Sequence, residues 1–152
     1  MTAIQSSSQQ LVATTTGDLC IAECQVLNGK KIIFAAVYIS VNQKLDDIIQ
    51  FLHRQLLICS HRGAALLGSE DKTPLILGGD FNVNFASDDS IPLIDFLSEN
   101  FSLLINNDPK ISTTKSGTTI DAIFTRNLEN IESRTYVSYF SYHKALVTTV
   151  PM

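Results

Sequence analysis

The sequence predicts an α/β domain, and three observations carry that reading. Two β-rich runs flank an Asn28-Gly29 pair. Leu45, Ile48, Ile49, Leu52 and Leu56 recur at helical spacing. Pro74 to Leu77 then opens a second strand–helix–strand passage that runs on to Thr125. Alternation of strand and helix is the pattern of an α/β fold.

Residues 1–16 are polar and rich in Ser, Thr and Gln, which predicts a flexible lead-in. The domain is expected over residues 17–152. Leu19 to Leu27 and Lys31 to Tyr38 form a hairpin, because Asn-Gly tolerates the positive φ of a type I′ turn. Ile32, Ile33, Phe34, Val37 and Tyr38 are nearly continuous, as in a strand buried on both faces. The stripe from Leu45 predicts an amphipathic helix over 43–59, followed by a loop over 60–73. The strand from Pro74 is expected to stop at Gly78-Gly79. Ser90 and Pro92 mark a helix start, with Asp88 and Asp89 as acids ahead of it. Ile94, Leu97 and Phe101 continue that helix's inner face. Thr119 to Thr125 and Lys144 to Val150 complete the strands.

Composition narrows the function. The chain has 152 residues, 45% of them hydrophobic and 17% charged, so it can bury one sizeable core. No apolar run approaches the ~18–20 residues of a membrane span, and no membrane partner is expected. The N-terminus has neither a basic nor an apolar signal region, which predicts an intracellular rather than secreted protein. The net charge of −4 gives no broad basic field for nucleic acid, so such a role needs a local site or a bound cation. Cys20, Cys24 and Cys59 lack metal-ligand spacing and read as free thiols, buried or half-buried.

Chemistry concentrates in three segments. In Pro74-Leu-Ile-Leu-Gly-Gly-Asp80-Phe-Asn82, an apolar strand delivers a carboxylate and an amide to its C-terminal end, where α/β folds bind ligands. Asn82 points the same way as Asp80 if the backbone stays extended. A turn-capping Asp80 and a loop-satisfying Asn82 are the plainer alternatives. Asp121 sits in the otherwise apolar Ile120-Asp121-Ala-Ile-Phe and needs a partner. His143 precedes the last strand. An intra-strand Asp with a strand-edge His suggests a carboxylate that fixes one imidazole tautomer. His53, His61 and Arg126 read as solvated side chains.

These segments in order, from the run ending at Tyr38 through Gly-Asp80-Phe-Asn82 and Ile-Asp121 to Ser141-Tyr142-His143, resemble the endonuclease/exonuclease/phosphatase superfamily. The resemblance runs from about Leu19 to the C-terminus and is nearest the endonuclease domains of non-LTR retrotransposons and related mobile elements. It implies a DNase I-like two-sheet sandwich with outer helices and Mg²⁺-dependent hydrolysis of phosphate esters, with DNA as the substrate class. By that likeness Asp80 would orient or deprotonate water and bind the metal, and Asn82 would hold the phosphate. Tyr38 would contact the phosphate, and His143, oriented by Asp121, would bind an oxygen or transfer a proton.

Two departures from the family pattern predict impaired activity. The N-terminal part that supplies an Asn and a metal-binding Glu has no counterpart, so the domain is expected to be N-terminally truncated. Glu23 does not match that Glu. Tyr142 stands where the family has Asp, and a neutral phenol does not replace a carboxylate's charge. A non-catalytic remnant of the nuclease fold and a phosphatase of the same superfamily are the alternatives.

Overall fold

A computed structural model describes residues 5–25, 29–59 and 73–151. Strands β1 (Gln5–Ala13), β2 (Gly17–Gln25) and β3 (Lys31–Ile39) form an antiparallel meander. Helix α1 (Leu45–Leu56) and a 3-10 turn at Leu57–Cys59 lead towards β4 (Leu75–Asp80), which lies parallel to β3. Helix α2 (Ile91–Phe101) and the short β5 (Leu104–Ile105) follow. Strand β6 (Asp121–Arg126) then returns antiparallel to β4. The sheet order is β1-β2-β3-β4-β6-β5. Strands β7 (Glu132–Tyr136) and β8 (Ala145–Thr149) form a separate two-stranded sheet.

Strand alternation sends one set of side chains to the helices. Leu19, Ile21, Ala35, Val37, Ile39, Leu75, Leu77, Ala122 and Phe124 meet Ile48, Leu52 and Leu56 of α1 and Leu93, Leu97 and Phe101 of α2 in one core. Phe81, Phe85 and Phe124 pack edge-to-face at its centre.

Several expectations are corrected. Residues 5–13 are no lead-in. They pair with β2 as an edge strand, through a turn in which the Thr14 hydroxyl donates to the Gly17 carbonyl and accepts from its amide. Gln9 and Gln10 of this strand are exposed, so their polarity costs nothing in packing. Strand β3 is not buried on both faces. Its helix side carries the core, while Tyr38 on the other side is 47% exposed. Gly78 and Gly79 do not end β4, which runs through them to Asp80. Gly79 has φ +150°, and a Cβ there would overlap the Val37 carbonyl. The glycine is what lets β4 lie this close to β3. Strands β5 and β7 had no clear signal, β5 for brevity and β7 for its polar Glu-Ser-Arg-Thr-Tyr sequence.

Arg126 is not solvated. It is 5% exposed, and its Nη1 donates to the carbonyls of Cys59 and Phe101 while Nε donates to that of Thr73. Cys20 and Cys24 are half-buried free thiols and Cys59 is a buried one. His53 is exposed, with its ring edge-on to Phe96. Asn28, the 60–72 stretch of the expected loop, and His61 lie outside the described residues. No helix among the described residues is long and apolar enough to cross a membrane.

Candidate active site

The sheet register builds the site. Asp80 is the last residue of β4 and Asp121 the first of β6, and they are directly opposed. Tyr38 is opposite Asp80 on the other side, across the parallel β3–β4 pair. The three residues thus share one end of the sheet, on the face away from the helices.

His143 comes to this end from the approach to β8. Its Nδ1 lies 2.9 Å and 3.1 Å from the two carboxylate oxygens of Asp121. Its Nε2 faces Asp80 Oδ2 at 3.7 Å. A carboxylate on Nδ1 fixes that nitrogen as the protonated one and turns Nε2 towards Asp80. The Asp121 pair raises the His143 pKa, burial opposes the rise, and the charges of Asp121 and Asp80 add to it. Asp80 is also raised. Burial is the main cause and the Asp121 charge adds, while a hydrogen bond from the Asn82 amide and the charge of His143 oppose.

The backbone beneath Asp121 is held by residues with no obvious sequence signal. Thr113, fully buried, accepts the amides of Ile120 and Asp121 on its hydroxyl, each at 3.1 Å. Asn84 Oδ1 accepts the Thr119 amide, and Asn107 Oδ1 accepts the Ile123 amide. An isolated bridge joins Thr114 to His143. The cue available in the sequence is the density of Thr and Ser over 112–119, which reads as an ordinary loop until its partners are seen.

Asn82 is a turn residue. It follows β4 with φ +49°, in the left-handed region, so the backbone is not extended there. Its side-chain Nδ2 donates to the Ile39 carbonyl at 2.6 Å, which fastens the turn after β4 to the end of β3. The structure therefore brings together Asp80, Asp121 and His143, sets Tyr38 beside Asp80, and uses the Asn82 amide on backbone.

Asp80, Asp121 and His143 each offer a ligand atom within 4.8 Å of the others. Two carboxylates and an imidazole are a donor set that suits a divalent cation.

No protein-family model and no curated protein matches the sequence. Solved structures do match the fold. The mannosyl-6-phosphatase Bt3783 of Bacteroides thetaiotaomicron superposes with TM-score 0.63 at 14% identity, over 98% of this chain and 67% of that one. An endonuclease/exonuclease/phosphatase family protein of Leptotrichia buccalis gives TM-score 0.59 at 15% identity, over 99% of this chain and 60% of that one. The fold is that of the endonuclease/exonuclease/phosphatase proteins. The human Nocturnin catalytic domain gives TM-score 0.58 at 16% identity, over 96% of this chain and 60% of that one. The chain spans about two thirds or less of the length of these endonuclease/exonuclease/phosphatase structures.

Proposed function

We propose that the chain is a Mg²⁺-dependent phosphodiesterase domain of the endonuclease/exonuclease/phosphatase type, cutting DNA as a mobile-element endonuclease domain does, with activity lowered by Tyr142. The observation that carries this reading is His143 held between Asp121 and Asp80 at the strand ends. Asp80, made more basic by burial, takes a proton from the attacking water. His143, whose Nδ1–H is held on Asp121 and whose pKa that pair raises, acts as the imidazolium: its Nε2–H donates to a phosphoryl oxygen and supplies positive charge as negative charge grows there. Tyr38, exposed beside Asp80, contacts the phosphate from the β3 side. Asn82 shapes the turn that presents Asp80. Asp80, with the Asp121 carboxylate opposite it, would hold the cation, which when bound offsets charge on the phosphate.

A phosphatase acting on a small phosphate ester is the second reading. The net charge of −4 favours it, because a long polyanion gains little from an acidic surface. One assay separates the two. Supercoiled plasmid and a sugar monophosphate are each incubated with the protein and Mg²⁺, beside His143→Ala and Asp80→Asn. Slow nicking that needs Mg²⁺ and is lost in both variants is the expected result. Phosphate release without nicking establishes the second reading. Neither activity in the wild type identifies a non-catalytic remnant.

A further inference from the structure

The segment that delivers His143 enters the site with little packing around it. Val137 and Tyr139 are exposed and Phe140 wholly so. A segment with few buried apolar contacts opens readily. The Asp121 contacts nevertheless require the imidazole to be placed closely. The anchors that meet this need converge on residues 113–118. The Lys144 amide donates to the Thr113 carbonyl at 2.7 Å, and the Lys115 amide donates to the Tyr142 carbonyl at 3.1 Å. The Tyr142 hydroxyl donates to Ser116 Oγ. Ser116 Oγ is 3.1 Å from the Thr114 hydroxyl, which is 2.8 Å from that of Thr118 and accepts the Thr118 amide. The phenol is thereby tied into a cluster of hydroxyls. The same turn reaches Asp121 from beneath, since Thr113 holds the Asp121 amide. One turn thus grips both members of the Asp121–His143 pair.

We propose that Tyr142 is a positioning residue whose hydroxyl bond to Ser116 locks the His143 segment onto the 113–118 turn and so keeps Nδ1 on Asp121. The importance of the pair rests on the hydrolase reading above, but the lock itself concerns only geometry. The Tyr142 ring also stands edge-on to the imidazole, with centroids 5.7 Å apart and planes at 77°, which limits how far His143 can swing.

The test needs no catalysis, so its failure and the failure of the hydrolase reading are distinguishable. In the full chain carrying 15N-labelled histidine, the His143 Nδ1 proton is followed by NMR, with His53 and His61 as internal references. A proton held on a carboxylate gives a low-field signal that exchanges slowly with water. Tyr142→Phe keeps the ring and removes the hydroxyl, and Ser116→Ala removes its partner. Each is expected to speed exchange of the His143 Nδ1 proton at least tenfold, and the double variant to add little to either. Tyr139→Phe is expected to leave the exchange unchanged. Amide spectra report whether each variant is folded. Ser116 is exposed, so Ser116→Ala carries the test if Tyr142→Phe does not fold. Wild-type exchange in a folded Ser116→Ala or Tyr142→Phe variant overturns the proposal, as does the absence of a low-field His143 signal in the wild type.

Discussion

Asp80 and Asp121 are opposed partners on neighbouring strands, and the imidazole of His143 closes on both of their carboxylates. Two like charges at opposed positions destabilise a sheet. The fold tolerates them because the imidazolium form of His143 compensates and because the Asn82 amide supports Asp80. The arrangement stores unfavourable electrostatics at one strand end, and four measurable consequences follow from it and from the scaffold behind it.

Asp80→Asn is expected to raise the melting temperature at pH 7. Burial raises the Asp80 carboxyl above its ordinary value, so folding favours the protonated form. That contribution is fully present below the unfolded carboxyl value and is lost as pH rises through the folded one. Asn fixes a neutral group and keeps an acceptor for the Asn82 amide. Thermal melts at pH 7 and near pH ~3.5 check this. The gain at pH 7 should shrink in acid, and a lower melting temperature at pH 7 contradicts the argument.

Asp121→Asn acts in the opposite sense. Its carboxylate is the main reason the His143 pKa lies above the ordinary imidazole value. The pair stabilises the fold below the unfolded histidine value and loses that contribution as pH rises through the raised one. Urea denaturation should therefore show a larger loss at pH 6 than at pH 9. The NMR titration of His143 should move down towards the ordinary value, and an unmoved titration sinks this assignment.

Arg126→Met should lower unfolding free energy by about 3 kcal/mol or more. The substitution leaves the carbonyls of Cys59, Phe101 and Thr73 without this donor, at roughly 1–3 kcal/mol for each one left unsatisfied. Denaturant titration measures the loss. A variant within about 1 kcal/mol of wild type would show that water replaces the guanidinium at little cost.

Gly79→Ala should destabilise by about 2 kcal/mol, the order expected of an L-residue forced into a glycine-only backbone region. The added methyl meets the Val37 carbonyl, so β3 and β4 must part just before Asp80. Backbone chemical shifts at Val37, Tyr38 and Asp80 should move together. Shifts confined to residue 79 would show that the strands accommodate the methyl locally.

Much of this was legible in the sequence, for physical reasons. The α1 stripe and the strand leading to Asp80 announce themselves because burial imposes a period. Asp121 and His143 were legible as an acid and an imidazole out of place. What escaped depends on contacts far apart in the chain. The guanidinium of Arg126 is satisfied by carbonyls 25 to 67 positions away, so nothing local distinguishes it from a solvated arginine. Strand β1 is polar and carries no apolar alternation to announce it, although it pairs along β2. The Asn82 side chain reaches the Ile39 carbonyl because the backbone turns left-handed immediately after the strand, a turn that Asp80-Phe-Asn82 does not announce.

The buried Arg126 also has an electrostatic meaning for the helical layer. The Phe101 carbonyl is at the C-terminal end of α2, and the Cys59 carbonyl closes the turn that extends α1. The negative poles of two helix macrodipoles therefore converge on one guanidinium carried by the sheet. Placing both poles together would otherwise set like partial charges side by side in a medium of low dielectric. A single fixed cation makes their convergence favourable, and it fastens both helices to the strand that begins with Asp121.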